Sequence, residues 1–174
     1  MKKSLVINLL GSPGSGKSTT AALLFGEMKK RGYSVDLVPE YAKELIWEGR
    51  EATFEDEVYI FAKQNHRVFR LNGKVDFIVT DAPLLQKLYY MPKEFDFSQF
   101  VLDVVNQYDN LTFFLERKEF EYETNGRHQT AEESSEVSKI MKEKLLENQI
   151  DFQVIPDGKD PVEHILSILK NYKN

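Results

Sequence analysis

Eight consecutive residues carry the chain's sharpest chemical signal. Gly11-Ser12-Pro13-Gly14-Ser15-Gly16-Lys17-Ser18 fits the spacing G-x-x-x-x-G-K-[ST]. Glycines let a loop curl until several backbone N–H groups converge on one anion. Lys17 is placed to reach the β- and γ-phosphates of ATP, and the Ser18 hydroxyl to ligate Mg²⁺. The helix predicted to start here adds the partial positive charge of its N-terminus. Gly11, Ser12, Gly14, Ser15, Gly16, Lys17, Ser18 and Thr19 are therefore the predicted nucleotide-contacting set. A plain glycine-rich turn before a helix is the alternative. The apolar strand before the motif and the helix after it favour the phosphate cradle.

Two carboxylates are predicted at strand ends. Phe77-Ile78-Val79-Thr80-Asp81 is an apolar run closed by an acid, which suits Asp81 as a Mg²⁺ ligand, directly or through water. Val38-Pro39-Glu40-Tyr41-Ala42 places Glu40 at the end of another strand. Ligands of open α/β sheets sit at the carboxyl ends of strands. One carboxylate can then hold metal while the other takes a proton from an attacking hydroxyl. We assign Glu40 as base and Asp81 as metal ligand, with the roles exchangeable. For Glu40 the plainer alternative is an exposed acid at a helix start, favourable there by the helix dipole alone.

Further candidates surround an acceptor site. Gln64 and Arg67 share one face of a predicted helix with Ile60 and Leu71. The Gln64 amide offers a donor and an acceptor to a base edge. Arg67 can support it or pair with a carboxylate; a solvated helix face is the other reading. Tyr41, Trp47 and Tyr89 are stacking surfaces or core aromatics. Arg117 and Arg127 fall around residues 118–129, a stretch without apolar periodicity that is expected to be a mobile lid. Such arginines neutralise charge on a transferring phosphoryl group; ordinary surface arginines are the alternative. His66, His128 and His164 show no metal-binding spacing.

Alternating strands and helices must position these residues. Strands are expected at 5–10, 35–38, 75–80, 111–115 and 151–155. Helices are expected at 17–31, 40–48, from Thr53 to about residue 72, at 98–108, at 130–148 and from Asp160 onward. The Thr53 helix is expected to carry Phe54, Val58 and Phe61 on one face. Thr130-Ala131-Glu132-Glu133 is a capping box, and Asp160-Pro161-Val162-Glu163 opens the last helix with an N-cap acid and a first-turn proline. The strands show little in–out alternation, so a parallel sheet covered on both faces is expected.

The 174 residues suggest one domain spanning 1–174, able to bury roughly 70% of its unfolded surface. No run reaches the roughly 18 apolar residues of a membrane span. The apolar segment after Met1-Lys2-Lys3-Ser4 is too short for a secretory core, which suggests a cytoplasmic location, a host's if the chain is phage-encoded. With no cysteine, disulfides and thiolate chemistry are excluded. Acids outnumber bases 28 to 23, so the chain as a whole does not attract nucleic acid, although a local basic groove stays compatible. Oligomeric state leaves no signal here.

The phosphate loop, Val38-Pro39-Glu40-Tyr41-Ala42, Thr80-Asp81 and Gly126-Arg127 come in the order seen in P-loop kinases. Across nearly the whole chain this resembles the NadR-type nicotinamide riboside kinases and related small phage-type P-loop kinases. Deoxynucleoside kinases are similar in layout at Glu40, Gln64 and Arg127, but their Asp-Arg-Ser or Glu-Arg-Ser motif is replaced by Asp81-Ala82-Pro83. The resemblance implies a three-layer α/β P-loop kinase fold with a five-stranded parallel sheet of order 2-3-1-4-5. It also implies a γ-phosphoryl transfer from ATP to a nucleoside- or nucleotide-like small molecule. Two other readings stay open: a phage enzyme phosphorylating hydroxymethylated pyrimidines in DNA, and an NTP-driven switch or regulatory module. The guanine-specificity motif Asn-Lys-x-Asp is missing, and little chain is left for the second helical domain of an AAA-type motor.

Overall fold

Short apolar segments pair into one parallel sheet: β1 (Leu5–Leu10), β2 (Val35–Val38), β3 (Phe77–Thr80), β4 (Asp109–Leu115) and β5 (Gln153–Ile155). Their order is β2-β3-β1-β4-β5. This computed structural model describes residues 2–90, 96–116 and 131–172, without the side chains of residues 51, 54 and 131–135. The central strand β1 is registered Asn8↔Thr80 on one side and Leu10↔Phe114 on the other. Beyond β3, Val38 faces Thr80.

Residues of β1 alternate between two separate cores, which is why the strand reads as continuously apolar. Val6 and Leu10 face the first, built from α4 (Glu57–Phe69), α5 (Ser98–Val105) and α6 (Ala131–Glu147) with the 3₁₀ turn Leu84–Leu88. Ile7 and Leu9 face the second, built from α1 (Lys17–Lys30) and α7 (Pro161–Leu169). Helices thus cover both faces, as the strand composition predicts. Asp160 caps α7, its Oδ1 accepting from Val162 N at 2.8 Å and Glu163 N at 3.2 Å. Among the described residues, no helix is long and apolar enough to cross a membrane.

Several expected boundaries move. The helix expected from Thr53 is two helices, α3 (Glu51–Phe54) and α4. Asp56 makes the break: its Oδ1 accepts from Tyr59 N at 2.9 Å and so caps α4. The new start turns Val58 outward, 47% exposed, and the buried stripe is Ile60, Phe61, Gln64 and Val68. The helix expected at 40–48 is α2 (Tyr41–Trp47), with Glu40 as its N-cap. The third strand starts at Phe77, because Val75 is diverted into a bridge with Asn72. Residues 91–95, the 118–129 segment with Arg117 and Arg127, and Thr130 lie outside the described residues.

Candidate active site

The phosphate loop connects the end of β1 to the start of α1, and its geometry depends on glycine at two points. Gly11 has φ +147, and a Cβ there would meet Ser15 Oγ at 2.5 Å and the backbone oxygen of Leu115 at 2.6 Å. Gly16 has φ +84 in the left-handed region, from which the chain turns directly into α1. Ser15 N donates to Ser12 O at 3.1 Å, closing the loop on itself. Lys17 Nζ donates to Gly11 O at 2.7 Å and Ser12 O at 2.8 Å, so its ammonium lies across the loop. Ser18 and Thr19 are exposed in the first turn of α1.

Among the described residues, three buried side-chain oxygens lack a hydrogen-bond partner: Ser12 Oγ, Ser15 Oγ and Asp81 Oδ1. Buried polar atoms are nearly always satisfied, and exceptions concentrate where a ligand or ion completes the set. Two belong to the phosphate loop, and the third is the acid that ends β3. Residues 11–19 with Asp81 therefore fit a bound nucleotide phosphate with its cation. Among the described residues, no group of three or more His, Asp or Glu is gathered around a metal position. Mg²⁺ keeps several waters and takes one or two protein oxygens plus phosphate. Ser18 and Asp81 are the residues that would hold it.

Glu40 sits half-buried where β2 ends. It is the N-cap residue of α2, yet its carboxylate accepts no capping hydrogen bond. Burial first, and the Asp81 carboxylate second, push its pKa above the usual glutamate value, while Lys17, Lys43 and Lys87 pull it back. Glu40 is thus near enough to Asp81 and Lys17 to feel their charges.

Gln64 is 5% exposed and turned toward that segment. Its Oε1 accepts from Tyr41 N at 3.0 Å and its Nε2 donates to Pro39 O at 3.3 Å. Both ends of the amide thus hold the backbone on either side of Glu40. Arg67 pairs with Glu44, Nη1 to Oε1 at 2.9 Å, and lies 4.8 Å over the Tyr41 ring. Tyr41 is buried against Tyr59, their hydroxyls 3.2 Å apart. Gln64, Arg67 and Tyr41 thus form one supporting group behind Glu40, and Trp47 is 80% exposed.

Sequence reasoning missed Lys87 and Glu57. Lys87, on the Leu84–Leu88 turn, is 7% exposed and forms an ion pair with Glu57 at the start of α4. Lys87 pulls on the Glu40 titration, and both Glu40 and Glu57 act on Tyr90, so the four groups lie near one another. Burial, helped by Tyr89, Glu40 and Glu57, pushes the Tyr90 phenol up to about 12. The signal was a lysine inside the apolar run Leu84-Leu85-Gln86-Lys87-Leu88.

The family described as an AAA domain matches residues 6–163. The chain belongs to this AAA-domain family. A comparison with curated proteins finds no match. Among solved structures, this AAA-domain chain is similar to thymidylate kinase from Ehrlichia chaffeensis, with a TM-score of 0.63, 15% identity, and coverage of 98% of this chain and 99% of that one. It is also similar to a mutant of the Mycobacterium tuberculosis APS kinase, with a TM-score of 0.56, 13% identity, and full coverage of both chains (100%). Sheet order and covering helices are those of the P-loop kinase fold.

Proposed function

We propose that this chain is an ATP-dependent kinase, a single domain that transfers the γ-phosphoryl group to a hydroxyl on a nucleoside- or nucleotide-like small molecule. The observation that carries this reading is the Glu40 carboxylate: uncommitted to capping, near enough to Asp81 and Lys17 to feel their charges, and braced from behind by Gln64. A nucleotide switch needs the phosphate loop and Asp81. It does not need a second carboxylate held beside them.

In the proposed reaction, residues 11–19 bind the ATP phosphates through backbone N–H groups and the helix N-terminus. Lys17 exchanges its contacts with the Gly11 and Ser12 carbonyls for phosphate oxygens. Glu40 accepts the proton of the acceptor hydroxyl while that oxygen bonds to the γ-phosphorus and the bond to the β-phosphate oxygen breaks. The raised proton affinity of Glu40 suits a base at neutral pH. Mg²⁺ bound by Ser18 and Asp81 would supply charge neutralisation at the β- and γ-phosphates. Arg127, with Arg117, is assigned to the transferring group from the lid at 118–129.

Charge supports a small acceptor over DNA. Residues 40–57 hold Glu40, Glu44, Glu48, Glu51, Glu55, Asp56 and Glu57 against Lys43 and Arg50. A polyanion meets repulsion on that side. An uncharged or cationic acceptor does not, which is compatible with the resemblance to nicotinamide riboside kinases and with a cytoplasmic, phage-type setting. The AAA-domain description favours one second reading, an NTP-driven regulatory module. Product analysis separates them: a kinase releases ADP in step with a phosphorylated acceptor, and a switch releases ADP without one.

A further inference from the structure

Thr80 ends β3 and is the polar residue of the run Phe77-Ile78-Val79-Thr80. It is 1% exposed. A valine there would have nearly the same shape and no hydroxyl to desolvate. Burying a threonine instead costs free energy unless its hydroxyl is bonded. Here it is bonded: Thr80 Oγ1 accepts from Ala82 N at 3.2 Å.

That bond spans Asp81. A threonine hydroxyl that accepts from the N–H two residues on closes a tight local turn. Before Asp81, Thr80 is held in the sheet, in register with Asn8 of β1 and Val38 of β2. After Asp81, Ala82 is held by the Thr80 hydroxyl. The backbone that carries Asp81 is thus fixed at both ends. Its carboxylate depends on this, because Asp81 Oδ1 is buried and has no hydrogen-bond partner among the described residues. No bond at that oxygen sets its direction. The direction comes from the turn and the packing around it.

Resting on the assignment of Asp81 as cation ligand in the kinase reading above, we propose that Thr80 is a positioning residue whose hydroxyl holds the turn that aims the Asp81 carboxylate at the cation of the bound nucleotide. Thr80 acts through Asp81 and makes no contact with nucleotide or cation itself. Without the hydroxyl, the Ala82 N–H is free to turn away and Asp81 gains orientations that miss the cation. Each one lowers the fraction of protein competent to bind it.

A merely structural role is the alternative. Thr80 lines a cavity of about 10 Å³ with Asn8 and Asn110, so a change in its volume also acts on packing. The test therefore compares two pairs that differ only at the hydroxyl: wild type with Thr80→Val, and Thr80→Ser with Thr80→Ala. Calorimetry measures the dissociation constant of a non-hydrolysable ATP analogue in EDTA and in Mg²⁺, and the readout is the ratio of the two. Asp81→Asn sets the ratio that remains without the proposed ligand. Within each pair, the member without the hydroxyl should show a ratio lower by about 2- to 10-fold, as expected for one hydrogen bond. Affinity in EDTA should not change. Thr80→Ser should keep the wild-type ratio even where its Tm falls. Thermal melts check folding, and if Thr80→Val does not fold, the Thr80→Ser and Thr80→Ala pair carries the comparison. Equal ratios within either folded pair, with that of Asp81→Asn still lowered, overturn the role of Thr80 and leave Asp81 as cation ligand. A wild-type ratio in Asp81→Asn overturns both.

Discussion

Gln64 grips the backbone on both sides of Glu40, accepting from Tyr41 N at 3.0 Å and donating to Pro39 O at 3.3 Å. Because Gln64 lies in the buried stripe of α4, the position of the proposed base depends on how that helix packs. Gln64→Leu keeps the volume and leaves the Tyr41 N–H and the Pro39 carbonyl without these partners. It should cost about 1–3 kcal/mol in denaturant unfolding and lower turnover while ATP affinity holds. Unchanged turnover in a destabilised variant would reduce Gln64 to a core residue.

Glu40→Gln should lower turnover by roughly 10²–10⁴, the usual cost of losing a general base. The same change should stabilise the protein. The Glu40 pKa is raised in the folded state, so ionisation opposes folding. Stability falls as pH rises from the unfolded value through the folded one, and the penalty is fully present above it. Removing the charge should therefore raise Tm at pH 7 and leave little difference at pH 4. A lower Tm at pH 7 would mean that Glu40 makes a favourable ion pair instead.

Asp81→Asn tests the cation site without an activity assay. Wild-type protein should gain Tm when ATP and Mg²⁺ are added together, by more than with ATP alone. The variant should lose the Mg²⁺-dependent part if Asp81 Oδ1, a buried oxygen without a hydrogen-bond partner among the described residues, is the proposed cation ligand. An equal Mg²⁺ effect in both proteins would move the cation elsewhere.

Gly11→Ala should destabilise the fold by about 1–3 kcal/mol and abolish nucleotide binding. The added methyl group would lie 2.5 Å from Ser15 Oγ and 2.6 Å from Leu115 O, and backbone oxygen has little room to retreat. Denaturant unfolding and ATP titration measure the two effects. Wild-type values in both would show that the loop opens more easily than its geometry indicates.

Much of this arrangement was legible in the sequence because it depends on local chemistry. The loop needs glycine at 11 and 16 whatever surrounds it, and acids at the ends of apolar strands fall where parallel sheets gather ligands. Polar–apolar alternation is absent from β1 for a physical reason as well, since Val6 and Ile7 enter different cores. What escaped depends on distant partners. Asp56 and Thr53 are both good N-caps by composition, and only packing decides that α4 starts after Asp56 and exposes Val58. Gln64 reads as a polar residue on a helix face until Pro39 and Tyr41 are brought to it. Lys87 and Glu57 lie 30 residues apart, and nothing in either neighbourhood announces the other.

The most direct measurement follows ADP and phosphorylated acceptor together in one reaction with ATP, Mg²⁺ and a nucleoside panel. The kinase account predicts ADP release that starts only with an acceptor, matches phosphorylated product one for one, and is lost in Lys17→Ala while that protein stays folded. Steady ADP release with no acceptor and no phosphorylated product would contradict it and favour the regulatory NTPase.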